Sequence, residues 1–292
     1  METSKVVPSK YQELFNDLAS RGWTVKGLTA RTTDLTLIDY HKLPGYSSSM
    51  IREIDRSPLH ARTSKDTFVP SPATDLGTAF HAAWLEQELF QKHYIPCPAE
   101  YSDRRKKDYK DWAKLQDPAK EILPYKTSID IHGMMEAAKQ NKAICDLTKR
   151  SIVEESIFWI DQKTGLLCKS RADMVSEGKG EIVTDIKTTR DASFYKFRKS
   201  YEDMKYYVQA AMQREAVAIT RGPAKRTNYV FAIESSAPYG NTLYPVDEEY
   251  MQLGHRLLRA ALSRIAECEA INIWPGYDEI TEHGLYPSSW LK

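Results

Sequence analysis

Two periodicities divide the chain. Up to about residue 150, apolar side chains recur mostly at helical spacing; from Ser151 they fall in short β-rich runs, and helical spacing returns near residue 193. Residues 10–21, with Tyr11, Leu14, Phe15 and Leu18 apolar, predict a short amphipathic helix before Gly22. LPGYSSSMIREIDRSPLH reads as a turn, a serine cap and a short helix ending before Pro58. Residues 59–73, ending in VPSPA, read as a loop. TDLGTAFHAAWLEQELF predicts a strong helix capped by Thr74 or Asp75, with a stripe of Leu76, Phe80, Trp84 and Leu85. The charged stretch YSDRRKKDYKDWAKLQ follows, then a helical region near 129–150.

IVEESIFWI, GLLCKSRADMV and EIVTDIKTT are three strand candidates in a row, joined by the turns DQKTG and SEGKG. A long helix over about 193–220, a strand TNYVFAIES and a helix over about 247–270 complete the pattern. This order predicts an α/β fold with a mixed central sheet flanked by helices. Residues 1–38 read as a helical N-terminal extension and 39–292 as one domain with its β-core at about 151–235.

The composition changes this picture little. The 292 residues are 41% hydrophobic and 28% charged, too apolar for disorder, and the formal charge of +1 confines any nucleic-acid surface to a local patch. No run approaches the ~18 apolar residues of a membrane span, and METSKVVPSKYQELF lacks a secretory apolar core, so the expected compartment is the cytoplasm. Cys97, Cys145, Cys168 and Cys268 contain no C-x-x-C pair, so neither a zinc site nor an Fe–S cluster is expected.

The candidate chemistry lies on the second and third strands. Asp185 and Lys187 alternate with Ile186 and share a face, with Asp173 on the preceding strand in the spacing D-x₁₁-D-x-K. Carboxylate oxygens are the preferred ligands of Mg²⁺ or Mn²⁺, and a lysine beside them can orient water or stabilise charge on a phosphoryl centre. A D-x-K by itself is commonly no more than solvated charge.

The ordered pieces YHKLPGYSSS, SPLH, DLGTAFHAAWLE, VEESIFW, TGLLCKSRADMV, VTDIKTT, YYVQAA and the terminal WP resemble the RecE-type (exodeoxyribonuclease VIII-like) branch of the PD-(D/E)XK nucleases, over nearly the whole chain after residue 38. The resemblance implies metal ligation by His81, Glu154, Asp173, Asp185 and the backbone carbonyl of Ile186, with Lys187 catalytic. Glu155 remains an alternative to Glu154. Tyr206 and Gln209 match a Y-x-x-Q against the active site; many relatives carry a tyrosine four residues further on, where this chain has Gln213. Two basic, aromatic stretches are candidates for phosphate contact: Arg104, Arg105, Lys106, Lys107 and Lys110 with Tyr109 and Trp112, and Arg190, Lys196, Arg198 and Lys199 with Phe194, Tyr195 and Phe197.

The function implied is an Mg²⁺-dependent exonuclease acting on linear double-stranded DNA, 5′→3′, releasing 5′-phosphomonoesters and leaving 3′ overhangs for recombination. A G-x-x-x-x-G-K-[ST] loop is missing, so ATP is not expected to be needed. The resemblance also implies a homo-oligomeric ring, a tetramer by analogy, a RecT-like annealing partner and a phage or prophage in a bacterial host. Two alternatives stay open: a structure-specific or single-strand nuclease, and a catalytically inactive DNA-binding clamp.

Overall fold

The first helix, α1 (Ser9–Ser20), forms where the 3.6-residue stripe is cleanest; it buries Phe15 and Leu18 and leaves its polar face to solvent. A computed structural model of the chain describes residues 7–67, 72–177 and 181–278. After α1 come two strands that the hydrophobic pattern does not announce, β1 (Thr24–Lys26) and β2 (Thr29–Thr32). They pair with each other, and β2 pairs antiparallel with the strand Ser151–Ile160. The N-terminal segment thus adds two strands to the main sheet as well as a helix, and Phe15, Leu18 and Trp23 pack on Phe158 and Ile160.

Short helices α2 (Leu37–Lys42) and α3 (Ser48–Glu53) precede α4 (Pro58–Thr67). The expectation of a loop over 59–73 fails here. Pro58 initiates a helix, a position where its missing N–H is harmless, and the Ser57 hydroxyl caps it by accepting from the His60 N–H at 3.2 Å. Residues 68–71 of that stretch lie outside the described residues. Helix α5 (Pro72–Leu85) starts ahead of Thr74 and Asp75, so neither is its cap, and α6 (Gln87–His93) follows.

The charged stretch carries α7 (Lys107–Lys114), flanked by β3 (Tyr94–Pro96) and β4 (Glu121–Leu123), a two-stranded parallel sheet of their own. The helical region near 129–150 divides into α8 (Tyr125–Gln140) and α9 (Lys142–Lys149), because the Asn141 side chain accepts from the Ile144 N–H and starts the second helix.

The three predicted strands form as β5 (Ser151–Ile160), β6 (Leu167–Ser176) and β7 (Glu181–Thr189). The long helix expected next is broken into α10 (Phe194–Asp203) and α11 (Tyr206–Arg221), with Lys205 between them at φ 50°. The break carries no glycine or proline signal; Arg52 Nη1 donates to the Met204 carbonyl there at 2.7 Å. Strands β8 (Arg226–Glu234) and β9 (Asn241–Pro245) and helix α12 (Glu248–Ile271) complete the fold.

The main sheet has seven strands in the order β1-β2-β5-β6-β7-β8-β9, antiparallel except for the parallel pair β7–β8. Its two faces are both covered, as the alternation in β8 makes plain. Val230 and Ala232 pack with Val208, Met212, Leu258 and Leu262 of α11 and α12, whereas Phe231 and Ile233 pack with Phe80, Met134 and Ile144 of α5, α8 and α9. The expected mixed α/β architecture is the one found. Among the described residues no helix is long and apolar enough to cross a membrane.

Candidate active site

Among the described residues, strands β6 and β7 pair only at Met174–Thr184 and Val175–Val183, beyond which they part. Asp173 and Asp185 stand at the point of parting. The backbone N–H of Ile186, instead of meeting a β6 carbonyl, donates to Asp173 Oδ2 at 2.6 Å. The β5–β6 ladder is interrupted at the same level, between Val153–Met174 and Glu155–Ala172, so Glu154 and Asp173 face each other across the gap. Glu154 has φ 52°, a left-handed conformation that costs a residue with a Cβ about 1 kcal/mol or more.

The Glu154–Glu155 ambiguity is resolved by this geometry. Glu155 is engaged elsewhere by Arg31 at 2.7 Å and Arg221 at 2.6 Å. Glu154 Oε1 lies 3.8 Å from His81 Nδ1 on α5, and Asp173 Oδ2 lies 3.7 Å from the same nitrogen. One ligand atom each from His81, Glu154 and Asp173 fall within 4.8 Å of one another, a spacing that can hold a metal ion. His81 Nε2 is 3.2 Å from the Ile186 carbonyl oxygen. When Nε2 carries a proton it donates to that carbonyl and leaves Nδ1 for the carboxylates.

Asp185 stands beside this cluster with other partners. Its Oδ1 accepts from Gln209 Nε2 at 2.8 Å and Gln213 Nε2 at 3.2 Å, and its Oδ2 is 2.5 Å from Lys187 Nζ. Lys187 Nζ also sits 4.8 Å above the Tyr206 ring, and the Arg52 guanidinium lies 5.7 Å from that ring on its way to Met204. Tyr206 therefore packs against the core and contacts the lysine at once.

Charge within the site is finely balanced. Burial pulls His81 down, but Asp173 and Glu154 outweigh it and raise it to about 9. Burial, then the charges of Asp185 and Glu154, raise Asp173 to about 7 despite His81 and Lys187. Burial also works against the Glu154 carboxylate, yet His81 and Arg171 hold it below its ordinary value. Burial would lower Lys187, but Asp185 and Asp173 keep it raised and charged.

These groups line an open cleft of about 570 Å³ whose wall includes Ser48, Arg52, Glu86, Arg171 and Gln213. None of these five is among the residues expected in the site. Two had a signal. Arg171 is two residues before Asp173 and so shares its strand face, and Gln213 is one helical turn beyond Gln209. Gln213, which stands where many relatives carry a tyrosine, donates directly to Asp185.

The basic stretches are not part of the cleft wall. Arg104 Nε donates to the Tyr109 hydroxyl at 3.0 Å, and Arg105 pairs with Asp103 at 3.0 Å. Lys106 and Lys107 are exposed at the start of α7. Arg190, Lys196, Arg198 and Lys199 are exposed on and before α10, with Arg198 5.5 Å from the Phe194 ring. Phe197, expected as a surface aromatic, is buried at 4% exposure against Tyr201 and Tyr244, because α10 turns that face to the core. Phe194 and Tyr195 remain exposed.

A family model described as a PDDEXK-like domain of unknown function (DUF3799) matches residues 47–283. The chain belongs to this family. Its PDDEXK-like fold is similar to a crystal structure of a protein from Eubacterium rectale named "Putative exonuclease", at 13% identity and a TM-score of 0.60, over 89% of this chain and 98% of that one. No curated protein sequence matches. In this PDDEXK-like chain the two aspartates and the lysine fall on the edges of the gap between β6 and β7, with the histidine brought in from α5.

Proposed function

We propose that this chain is a divalent-metal-dependent exodeoxyribonuclease of RecE type. It degrades the 5′-ended strand of linear duplex DNA, releases 5′-phosphomonoesters and leaves a 3′ overhang for strand annealing. The observation that carries this reading is the convergence of His81, Glu154 and Asp173 within 4.8 Å at the wall of an open cleft, with Lys187 beside Asp185. Clustered carboxylates facing an incoming phosphate repel it unless a cation lies between them, which argues against an inactive clamp.

The donor set fits Mg²⁺ or Mn²⁺: carboxylate oxygens and one imidazole, with the Ile186 carbonyl adjacent and no thiolate. Such an ion, when bound, supplies charge that acidifies a water and offsets charge on the leaving oxygen. The chain's own residues do the rest. Asp185 and the Tyr206 ring hold the Lys187 ammonium in place, where it stabilises charge developing on the scissile phosphate. Gln209 and Gln213 fix the Asp185 carboxylate from the side of α11. The Eubacterium rectale neighbour and the ordered RecE-like pieces favour attack at an end over internal cutting. The same reading carries a homo-oligomeric ring, a RecT-like annealing partner and a cytoplasmic site of action.

Linear duplex labelled at either the 5′ or the 3′ end tests this reading. With Mg²⁺ and no ATP, labelled mononucleotide is released first from the 5′ end, and none appears with a chelator. Covalently closed circles cut as fast as linear duplex would replace the exonuclease with an endonuclease; strict ATP dependence would point to a motor partner.

A further inference from the structure

Arg171 engages the residue whose backbone is unusual for the middle of a strand, Glu154 in the left-handed region. A side chain holds such a conformation only where its surroundings over-determine it. The guanidinium of Arg171 is 5% exposed, and each of its nitrogens has an acceptor. Nε donates to Glu154 Oε2, and Nη1 donates to the Leu35 carbonyl and, at 3.1 Å, to the Ser156 hydroxyl. Nη2 reaches Glu86 Oε2 at 3.5 Å. Leu35 leads into α2 and Glu86 sits between α5 and α6, so one planar fork ties two walls of the cleft to β5. The Arg171 carbonyl in turn accepts from Gln213 Nε2 at 3.4 Å, the same amide that donates to Asp185.

We infer that Arg171 is a positioning residue that divides the two oxygens of Glu154, engaging Oε2 so that Oε1 is presented to the metal cluster of His81 and Asp173; the inference rests on the metal-dependent reading above. The division follows from the contacts: Oε2 is taken by the guanidinium, while Oε1 is the oxygen 3.8 Å from His81 Nδ1. A buried ion pair alone is weak evidence of purpose, since such pairs often add little stability. The fork on four acceptors is different, because a fixed planar donor selects a rotamer as well as a charge state. Lysine offers a point charge in place of the fork, so it preserves the charge balance and loses the aim.

The test compares the full-length chain with Arg171→Lys, Arg171→Gln and Ser156→Ala. Mn²⁺ affinity is measured by calorimetry, and the Mg²⁺ concentration for half-maximal rate on linear duplex is measured alongside. Partners that orient a metal ligand typically contribute 10–100-fold in metal affinity. Arg171→Gln is expected to lose about that much in both readouts, Arg171→Lys to fall between it and the parent, and Ser156→Ala, which keeps the Glu154 contact, to bind Mn²⁺ as the parent does. The maximal rate at saturating metal should change less than the half-saturation does. If Arg171→Gln does not fold, Arg171→Lys decides: a folded lysine variant with parental Mn²⁺ affinity and parental half-saturation overturns the inference, as would the same result for a folded glutamine variant. A parent chain that binds no Mn²⁺ removes the metal-dependent reading and this inference with it, an outcome distinct from a parent that binds and variants that do not differ.

Discussion

At the scale of single residues, the site shows which parts of the chemistry are written in local spacing and which depend on strands parting. The shared face of Asp185 and Lys187, with Asp173 on the neighbouring strand, is legible because a strand alternates and D-x₁₁-D-x-K spans a hairpin, whereas the roles given to them come from the family resemblance. Replacing Asp173 with Asn or Lys187 with Ala is expected to reduce cleavage of linear duplex at least ~10²-fold with circular dichroism unchanged; near-parental rates in both folded variants would refute the assignment. The choice between Glu154 and Glu155 was not legible from alternation, because Glu154 leaves extended geometry at φ 52° and the ladder is interrupted there. Strand alternation puts Arg171 on the face of Asp173 but does not reveal what it does, because its worth lies in hydrogen bonds to Leu35 and Glu86, 136 and 85 residues away in sequence.

The charge balance at this scale also sets a pH dependence. Asp173 is raised to about 7 and His81 to about 9, so at pH 6 both hold a proton that a divalent ion must displace. Mn²⁺ affinity of the chain is therefore expected to rise from pH 6 to pH 9, most steeply below 7, where both groups still hold a proton, and less steeply once Asp173 has lost its own. Calorimetry in buffers of different ionisation enthalpy at pH 6 should show proton release on binding. A flat affinity across that range would mean that neither group is a ligand.

At the scale of elements, the periodic pattern located α1, α5, α8, α12 and the three central strands, since each has one apolar face or is buried on both. It missed β1, β2, β3 and β4 because strands of three or four residues offer too few positions for a period. It fused α10 with α11 because the turn uses Lys205 in the left-handed region, where glycine would have been a signal. The crossing of α11 and α12 has a legible cause only after the fact. A Cβ placed on Gly254 of α12 would come within 2.1 Å of the Tyr207 carbonyl oxygen of α11. Since α11 carries Gln209 and Gln213 to Asp185, that close approach seats the site as well as the core. Gly254→Ala is expected to force the helices apart and destabilise the fold by about 1–3 kcal/mol in denaturant titration. An unchanged midpoint would mean the crossing has slack that the packing does not suggest.

At the scale of the whole molecule, the proposed function raises the question of how a protein of near-zero net charge would stay on a polyanion. The formal charge is +1 and the cleft wall sets Glu86, Glu121, Glu154 and Asp173 against Arg52, Arg171 and Lys187, so cations outside it are expected to add to affinity. The exposed set on and before α10, namely Arg190, Lys196, Arg198 and Lys199, follows directly on the strand that carries Lys187. Arg198 and Lys199 pair with Glu202 at 4.0 Å and Asp203 at 3.2 Å on their own helix. Exposed pairs of that kind are worth little and exchange readily for phosphate. In a closed ring each subunit would present the same weak grip, and dissociation would need all of them to release together. Neutralising Arg198 and Lys199 to Gln is then expected to shorten the run length more than it slows a single cleavage. It should also flatten the dependence of log affinity on log salt by about 0.9 for each phosphate that is no longer neutralised. Single-molecule digestion at several salt concentrations measures the first quantity, and equilibrium binding to duplex in the presence of Ca²⁺ measures the second. If the variant keeps the parental run length and salt slope, α10 does not touch the DNA. If light scattering also finds a monomer at working concentration, the proposed ring is overturned. Neither result would disturb the roles proposed for His81, Glu154, Asp173 and Lys187, because those rest on the geometry of the cleft and not on the cations of α10.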